Sequence, residues 1–385
     1  MSTELTAYLD HAAATPLDQR VFAAMEPYLK DQFYNPAAAY TPARQVKADY
    51  ESARHRLAMG IGGAREEIIL TAGATESVNV AFHGILSGGG HAVIGATEHA
   101  AVRGAASNYP QAVAGADAKG MVYPEKIRDC ITEETRLVSI TLADSELGTV
   151  QKLRDIATLI QEVRTSRLVR GNTTPLYLHS DASQGAGALD INVARLGVDL
   201  LTLNAGKIYG PKQVGLLWVK SGIVLEPLIR GGGQEKGVRS GTENVAGAIG
   251  FARALELAQA GRHTENERLT KLRDLLVRDL QAEITDLVVN GHTKRHLPGH
   301  LNISVPRLDA ERVVFALDNI GICIATGAAC AANKGTRSKV LEAIGLSDEL
   351  ADGSLRITLG HLNDEEQIRR AIPSLVETIK RERAL

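Results

Sequence analysis

A lysine closes the apolar run Leu-Leu-Thr-Leu-Asn-Ala-Gly-Lys (200–207), and Ile-Tyr-Gly-Pro-Lys follows it. A strand that ends on lysine before a Gly-Pro turn holds an amine at a fixed point, as a Schiff base to a carbonyl group requires. Lys207 alone carries little, because most lysines are solvated surface charges. Its companions matter more. Ala-Gly-Ala-Thr-Glu-Ser (72–77) follows the apolar run Ile68–Thr71 and opens a helical pattern. The amide of Ala74 and the hydroxyl of Thr75 would form an anion cradle there, although a plain threonine cap is the commoner use. Thr-Glu-His (97–99) follows the next apolar run, Ala-Asp-Ser-Glu-Leu-Gly (143–148) the one after, and Ser-Asp-Ala-Ser-Gln-Gly (180–185) the one after that. A lone histidine is more often structural, and an aspartate at a strand end is usually a cap. Read together, these ends supply a phosphate cradle, a flat ring, acids, an amide and a lysine.

Pyridoxal 5′-phosphate needs that set. Its phosphate needs N–H and hydroxyl donors, its aldehyde a lysine, and its pyridine nitrogen a carboxylate that keeps it protonated. An imidazole can stack on its ring.

Short apolar runs at Ile68–Thr71, Ala92–Gly95, Leu137–Leu142, Leu176–His179, Leu200–Leu203 and Val214–Val219 lack two-residue alternation. They read as strands covered on both faces, with helical patterns such as Thr75–Leu86 and Leu153–Arg164 between them. The order implies an α/β fold with a doubly wound, mainly parallel sheet, and ligands collect at the carboxyl ends of such strands. After about Gly250 the pattern changes to two helices, Val245–Ala260 and Asn266–Glu283, and then a smaller α+β set. That set has strands near Leu287–Val289, Leu301–Val305, Ile322–Ala325 and Ser354–Thr358, and helices at Ala310–Asn319 and Asp364–Lys380. We expect a large domain over 15–255 and a small one from 1–14 and 256–385, with Tyr8–Asp10 at the hinge.

With 44% hydrophobic and 23% charged residues the 385-residue chain is globular rather than disordered. A formal charge of −2 gives no global field for nucleic acid or an anionic membrane. No long apolar span or signal-like start is present, so a cytoplasmic protein with no direct membrane contact is expected. Three cysteines, Cys130, Cys323 and Cys330, without CxxC or zinc spacing argue against a disulfide framework and against a structural metal. Cys330 lies among small residues with Lys334 and Arg337 nearby, a setting for a reactive thiolate rather than a buried one. Cys323 reads as core and Cys130 as helix filler.

Tyr-Leu-Asp-His-Ala-Ala-Ala-Thr-Pro (8–16), Gly-Ala-Thr-Glu-Ser (73–77), Thr-Glu-His (97–99), Lys-Ile-Tyr-Gly-Pro-Lys (207–212), Gly-Gly-Gly-Gln-Glu (231–235), Arg-Ser-Gly-Thr (239–242) and Thr-Gly-Ala-Ala-Cys (326–330) run nearly end to end. In that order they resemble the cysteine desulfurases of the NifS/IscS type, class V aminotransferase-like enzymes of PLP fold type I. The resemblance implies that Lys207 bonds the cofactor aldehyde, Asp181 pairs with the pyridinium and Gln184 with the phenolic oxygen. It implies that His99 stacks on the ring and moves protons, and that Thr75, the Ala74 amide and Asn204 hold phosphate. Thr242 would reach the phosphate of a second subunit, giving a homodimer with shared sites. Arg356 would grip the substrate carboxylate, with Asn35 and Ser145 on the substrate side. Cys330 would take sulfur from L-cysteine, leaving alanine, and pass it to an acceptor such as an iron–sulfur scaffold or a tRNA-thiolation enzyme.

Three positions depart from the family pattern. Asn204-Ala205-Gly206 stands where Ser-Gly-His is usual, Ser145 where an asparagine is usual, and Tyr40 where a histidine is common. Other readings on the same scaffold are a related lyase, such as a selenocysteine lyase, whose turnover would survive loss of Cys330, and a degenerate partner-binding protein that would form no cofactor absorption band.

Overall fold

The computed structural model describes residues 6–327 and 337–384. Thirteen strands are assigned among them: β1 (Ala7–Tyr8), β2 (Ile68–Thr71), β3 (His91–Gly95), β4 (Gln111–Ala114), β5 (Thr135–Ser139), β6 (Tyr177–Asp181), β7 (Leu200–Asn204), β8 (Gly215–Val219), β9 (Val288–Asn290), β10 (His300–Ser304), β11 (Ile322–Cys323), β12 (Ala325–Thr326) and β13 (Ser354–Thr358). Seven form one sheet in the order β2-β8-β7-β6-β5-β3-β4. β7, β6, β5, β3 and β4 run parallel, while β8 is antiparallel to both β7 and β2. The sheet is therefore mainly parallel, as expected, with one reversed strand near its edge. That reversal follows from the short Lys207–Val214 connection, which has no room for a crossover helix.

The central strands are buried on both faces, which accounts for their unbroken apolar runs. Leu201 and Leu216 pack with Val93 and Val138 on one face, and Leu200 and Leu217 with Ala92 and Leu137 on the other. β4 was not anticipated. It is an edge strand whose Gln111 and Val113 are exposed, so its sequence lacks the apolar run that marks the interior strands.

A second sheet, β12-β13-β10-β9, is antiparallel. It has its own core, including Leu276, Ile303, Val313, Ile357 and Leu375. The expected strand Ile322–Ala325 is in fact two. β11 pairs with β1, and β12 pairs with β13 in the second sheet. The two helices read at Val245–Ala260 and Asn266–Glu283 are likewise one helix, Val245–Glu283, of 39 residues. Gly261 lowers helix propensity by only ~1 kcal/mol relative to alanine. That is little against the packing of residues such as Phe251 and Leu255 in the first core and Leu272 and Leu276 in the second. No helix among the described residues is long and apolar enough to cross a membrane.

Candidate active site

The carboxyl ends of the parallel strands bring the predicted residues together. β7 ends at Asn204, and Ala205–Lys207 forms a single 3-10 turn. Asn204 Oδ1 accepts from the Gly206 amide at 3.0 Å, so its carbonyl oxygen caps this turn. The segment 10–15 crosses the same turn. Thr15 Oγ1 donates to the Gly206 carbonyl at 3.1 Å and accepts from the Tyr209 amide at 2.9 Å. Lys207 Nζ donates to the carbonyls of Ala12 and Ala13, each at 2.7 Å, and Gln184 Nε2 donates to Ala12 at 3.0 Å.

Asp181 ends β6 and is 8% exposed, and its Oδ1 accepts from the Ser183 amide at 2.9 Å. His99 follows β3 and caps the helix Ala100–Ala106, its Nδ1 accepting from the Ala101 amide at 3.1 Å. His99 is exposed. Desolvation lowers its pKa, the Asp181 carboxylate opposes that, and Lys207 and Arg356 add to it. The four groups therefore lie within each other's fields.

In the same sheet, β2 gives way to the helix Ala74–Leu86 through Gly73, whose φ of 106° and ψ of 171° suit only glycine. The helix has no side-chain cap, so its first amides remain available as donors. Thr75 is exposed beside them. A Cβ on Gly215, the first residue of β8, would fall 2.6 Å from the Gly73 carbonyl carbon, so this close approach requires glycine at 215. An uncapped helix start, an imidazole, a carboxylate and an amine at the carboxyl ends of strands of one sheet fit a pyridoxal phosphate molecule.

Arg356, in β13, is 4% exposed. Its Nη2 donates to Asp10 Oδ1 at 2.8 Å and its Nη1 to the Ser145 carbonyl at 3.3 Å. Its Nε is buried with no partner among the described residues. Asn35 is exposed, and its Oδ1 accepts from the Ala37 amide at 2.9 Å. Thr242 is exposed on the wall of a different pocket, with Gln213, Gly241 and Asn244. The loop before it is anchored by Glu235. That carboxylate accepts from Tyr50, from Arg54 through two nitrogens and from the Leu70 amide, at 2.6–2.7 Å. Cys330 and Lys334 lie outside the described residues. Arg337 forms ion pairs with Asp348 and Asp352. Cys323 is half-buried in β11 rather than core, and Cys130 ends a helix, as expected.

Sequence reasoning missed an acidic cluster beneath the site. Glu98 is 1% exposed and Asp144 2%. Burial raises Glu98 well above the carboxylate range, Asp144 to about 6 and Glu146 to about 8. Glu146 also bonds to Ser338, the first capping residue after the segment that carries Cys330. Nothing in the local sequence signals this. The acids arrive from two strand ends, and only the fold buries them and sets their charges against each other. The Asp10–Arg356 pair, 346 residues apart, was invisible for the same reason.

A profile of the aminotransferase class-V family matches residues 7–371. A protein from Dictyoglomus turgidum called cysteine desulfurase IscS is 37% identical over 387 residues, covering 98% of this chain and 95% of that protein. A solved NifS-like protein from Rickettsia africae superposes with a TM-score of 0.87 at 29% identity, over 97% of this chain and 99% of the other. A structure described as SspA in complex with cysteine has a TM-score of 0.78 at 30% identity, over 91% and 98%. Fold and sequence agree over nearly the whole length, and the chain belongs to the aminotransferase class-V family.

Proposed function

We propose that this chain is a PLP-dependent cysteine desulfurase that moves sulfur from L-cysteine to the thiol of Cys330. The observation that carries this reading is that Lys207, Asp181 and His99 stand at or just past the carboxyl ends of β7, β6 and β3 of one sheet, with the Asp181 and Lys207 charges felt at His99, and that the uncapped helix at Ala74 follows β2 of the same sheet. Pyridoxal phosphate, when bound, supplies an electron sink for the carbon next to the amino group. The protein's own groups supply the rest. The Ala74 amide, Thr75 and Asn204 hold phosphate, Asp181 holds a proton on the pyridine nitrogen, and Gln184 faces the phenolic oxygen. Arg356 anchors the substrate carboxylate, with Asn35 and Ser145 beside it. Lys207 takes the Cα proton, and His99, poised below the usual histidine range, stays neutral to pass protons. The Cys330 thiolate attacks the substrate sulfur, so the carbon–sulfur bond breaks as a sulfur–sulfur bond forms. The carbon gains a proton, leaving alanine and a persulfide.

Residues 15–255 would form the cofactor-binding unit, and 1–14 with 256–385 the unit that carries Cys330. The working form would be a homodimer in the cytoplasm, with Thr242 completing the partner's phosphate site. Phe33, Tyr34 and Tyr40 form an aromatic cluster, with Phe33 70% and Tyr40 52% exposed, as a surface covered by a second copy would be. The acceptor would be a sulfur-receiving protein, an iron–sulfur scaffold or a tRNA-thiolation enzyme. The test is to supply pyridoxal phosphate and L-cysteine and measure alanine and sulfide with a reductant present. Lys207→Ala should lose both products. Cys330→Ala should keep the cofactor absorption band and lose sulfide release, and full sulfide release from that variant would refute the assignment.

A further inference from the structure

Past the end of β5, one backbone amide has lost its strand partner. The amides of Ile140 and Leu142 donate to the His179 and Asp181 carbonyls on the β6 side, at 3.0 and 2.9 Å. Successive residues of a strand alternate in direction, so the Thr141 amide between them belongs to the β3 side. β3 ends at Gly95, and the chain turns there, the Glu98 amide donating to the Gly95 carbonyl at 3.4 Å. The Glu98 side chain takes the place of the missing strand. Its Oε1 accepts from the Thr141 amide at 2.6 Å. A Cβ on Gly95 would lie 2.9 Å from the same oxygen, so glycine at the end of β3 leaves room for the carboxyl group.

The same turn leads into His99. Arg103 Nε donates to the Glu98 carbonyl at 3.0 Å, and its Nη2 donates to the Ala96 carbonyl. The His99 carbonyl accepts from the amides of Val102 and Arg103, at 3.0 and 3.2 Å. Arg103 thus ties the turn to the helix Ala100–Ala106, and Glu98 ties it to the sheet. Thr141 extends the link, because its Oγ1 lies 3.1 Å from the carbonyl oxygens of both Ala143 and Asp181. One buried carboxyl group therefore joins the turn that carries His99 to the strand ends that carry Asp181 and lead to Ser145.

We propose that Glu98 is a positioning residue: its carboxyl group, set into the sheet in place of a β3 carbonyl, holds His99 at a fixed place relative to Asp181. This rests on the reading of His99 as the residue that stacks on the cofactor ring and passes protons. The acceptor matters here and the charge does not. Glu98 is 1% exposed, and burial favours its neutral form. Glutamine has the same shape and offers the same carbonyl acceptor. Methionine has a similar length and offers none. The Thr141 amide would then be buried without an acceptor, which is costly enough to move the turn.

The cofactor-loaded protein is given L-cysteine, and alanine is measured at steady state. Glu98→Met should lower kcat about 10- to 100-fold, the scale of a ~1 Å misplacement, and leave KM unchanged because Arg356 is untouched. Glu98→Gln should keep most of kcat. In a His99→Ala background Glu98→Met should cost little more, since both changes act through one group. Crystals of the cofactor-free variants should show His99 displaced relative to Asp181 in Glu98→Met and in place in Glu98→Gln. If the methionine variant does not fold, Glu98→Asp, one carbon too short to reach Thr141, takes its place. Unaltered kcat, an equal loss in the glutamine variant, or an undiminished loss in the His99→Ala background overturns the proposal. If the unaltered protein makes no alanine, or His99→Ala alone keeps full activity, the functional reading fails instead. The crystals then decide by themselves, and a His99 that has not moved in Glu98→Met overturns the proposal.

Discussion

Glu146→Gln should remove a slope from the stability of this protein against pH. Burial raises Glu146 first, and the neighbouring Asp144 raises it further, to about 8 against 4.5 for an ordinary glutamate. Asp144 Oδ1 accepts from the amides of Glu146 and Leu147, which favours its ionised form, so Glu146 is the member that keeps the proton. The folded state therefore binds this proton more tightly than the unfolded chain does. Below pH 4.5 both states hold it and its contribution is complete. Between 4.5 and about 8 the unfolded chain has released it while the fold retains it, so stability falls as pH rises. At ~1.36 kcal/mol per pH unit the ceiling over that window is about 5 kcal/mol. Sharing of the proton with Asp144 and partial contact with solvent bring the expectation to roughly 2–3 kcal/mol. Buried His11 and His179, both lowered to about 4, contribute with the opposite sign, because the unfolded chain protonates them below its histidine pKa. The informative quantity is thus the difference between the two proteins. Urea unfolding of both at half-unit steps from pH 5 to 8.5 gives it. The glutamine keeps the neutral shape and can still bond Ser338, so the variant should gain on the parent steadily toward pH 8. Parallel curves would show that Glu146 carries no proton in the fold and would refute the reasoning.

Arg54→Met leaves Glu235 buried beside Tyr50 without its cation. It should cost about 3–5 kcal/mol, read as a fall in thermal midpoint, and adding Glu235→Gln should recover part of it. Gly215→Ala drives a Cβ into the Gly73 backbone, so cofactor affinity measured by absorbance titration should fall while the far-UV spectrum is kept. Arg356→Lys keeps the charge but loses the planar fork and should raise KM for L-cysteine far more than it lowers kcat. Comparable falls in both would assign Arg356 to the chemical step instead.

The sequence is legible where one segment carries its own signal. Lys207, Asp181, His99 and Thr75 each sit where an apolar run stops, and parallel-sheet topology places such ends on one rim. The edge strand β4 was missed because exposed Gln111 and Val113 interrupt the apolar run. The continuity of Val245–Glu283 was missed because glycine and charged residues near 261–268 look like a break until both flanks are packed. Asn204, which departs from the family pattern, was read as a donor to phosphate through its side-chain amide; that its carbonyl oxygen caps the lysine turn is visible only in the fold. The protons on Glu98 and Glu146 are properties of burial, which no local pattern records.

The helix Val245–Glu283 has a mechanical consequence. At ~1.5 Å per residue its 39 residues form a shaft of about 58 Å. One end is gripped by Phe251 and Leu255, the other by Leu272 and Leu276. Neither sheet can lose its core without releasing half of this shaft, so heat should melt both together, and calorimetric and van't Hoff enthalpies should agree. Any swing of the second sheet over the first would therefore have to bend this shaft, whose one glycine between Leu255 and Leu272 is Gly261.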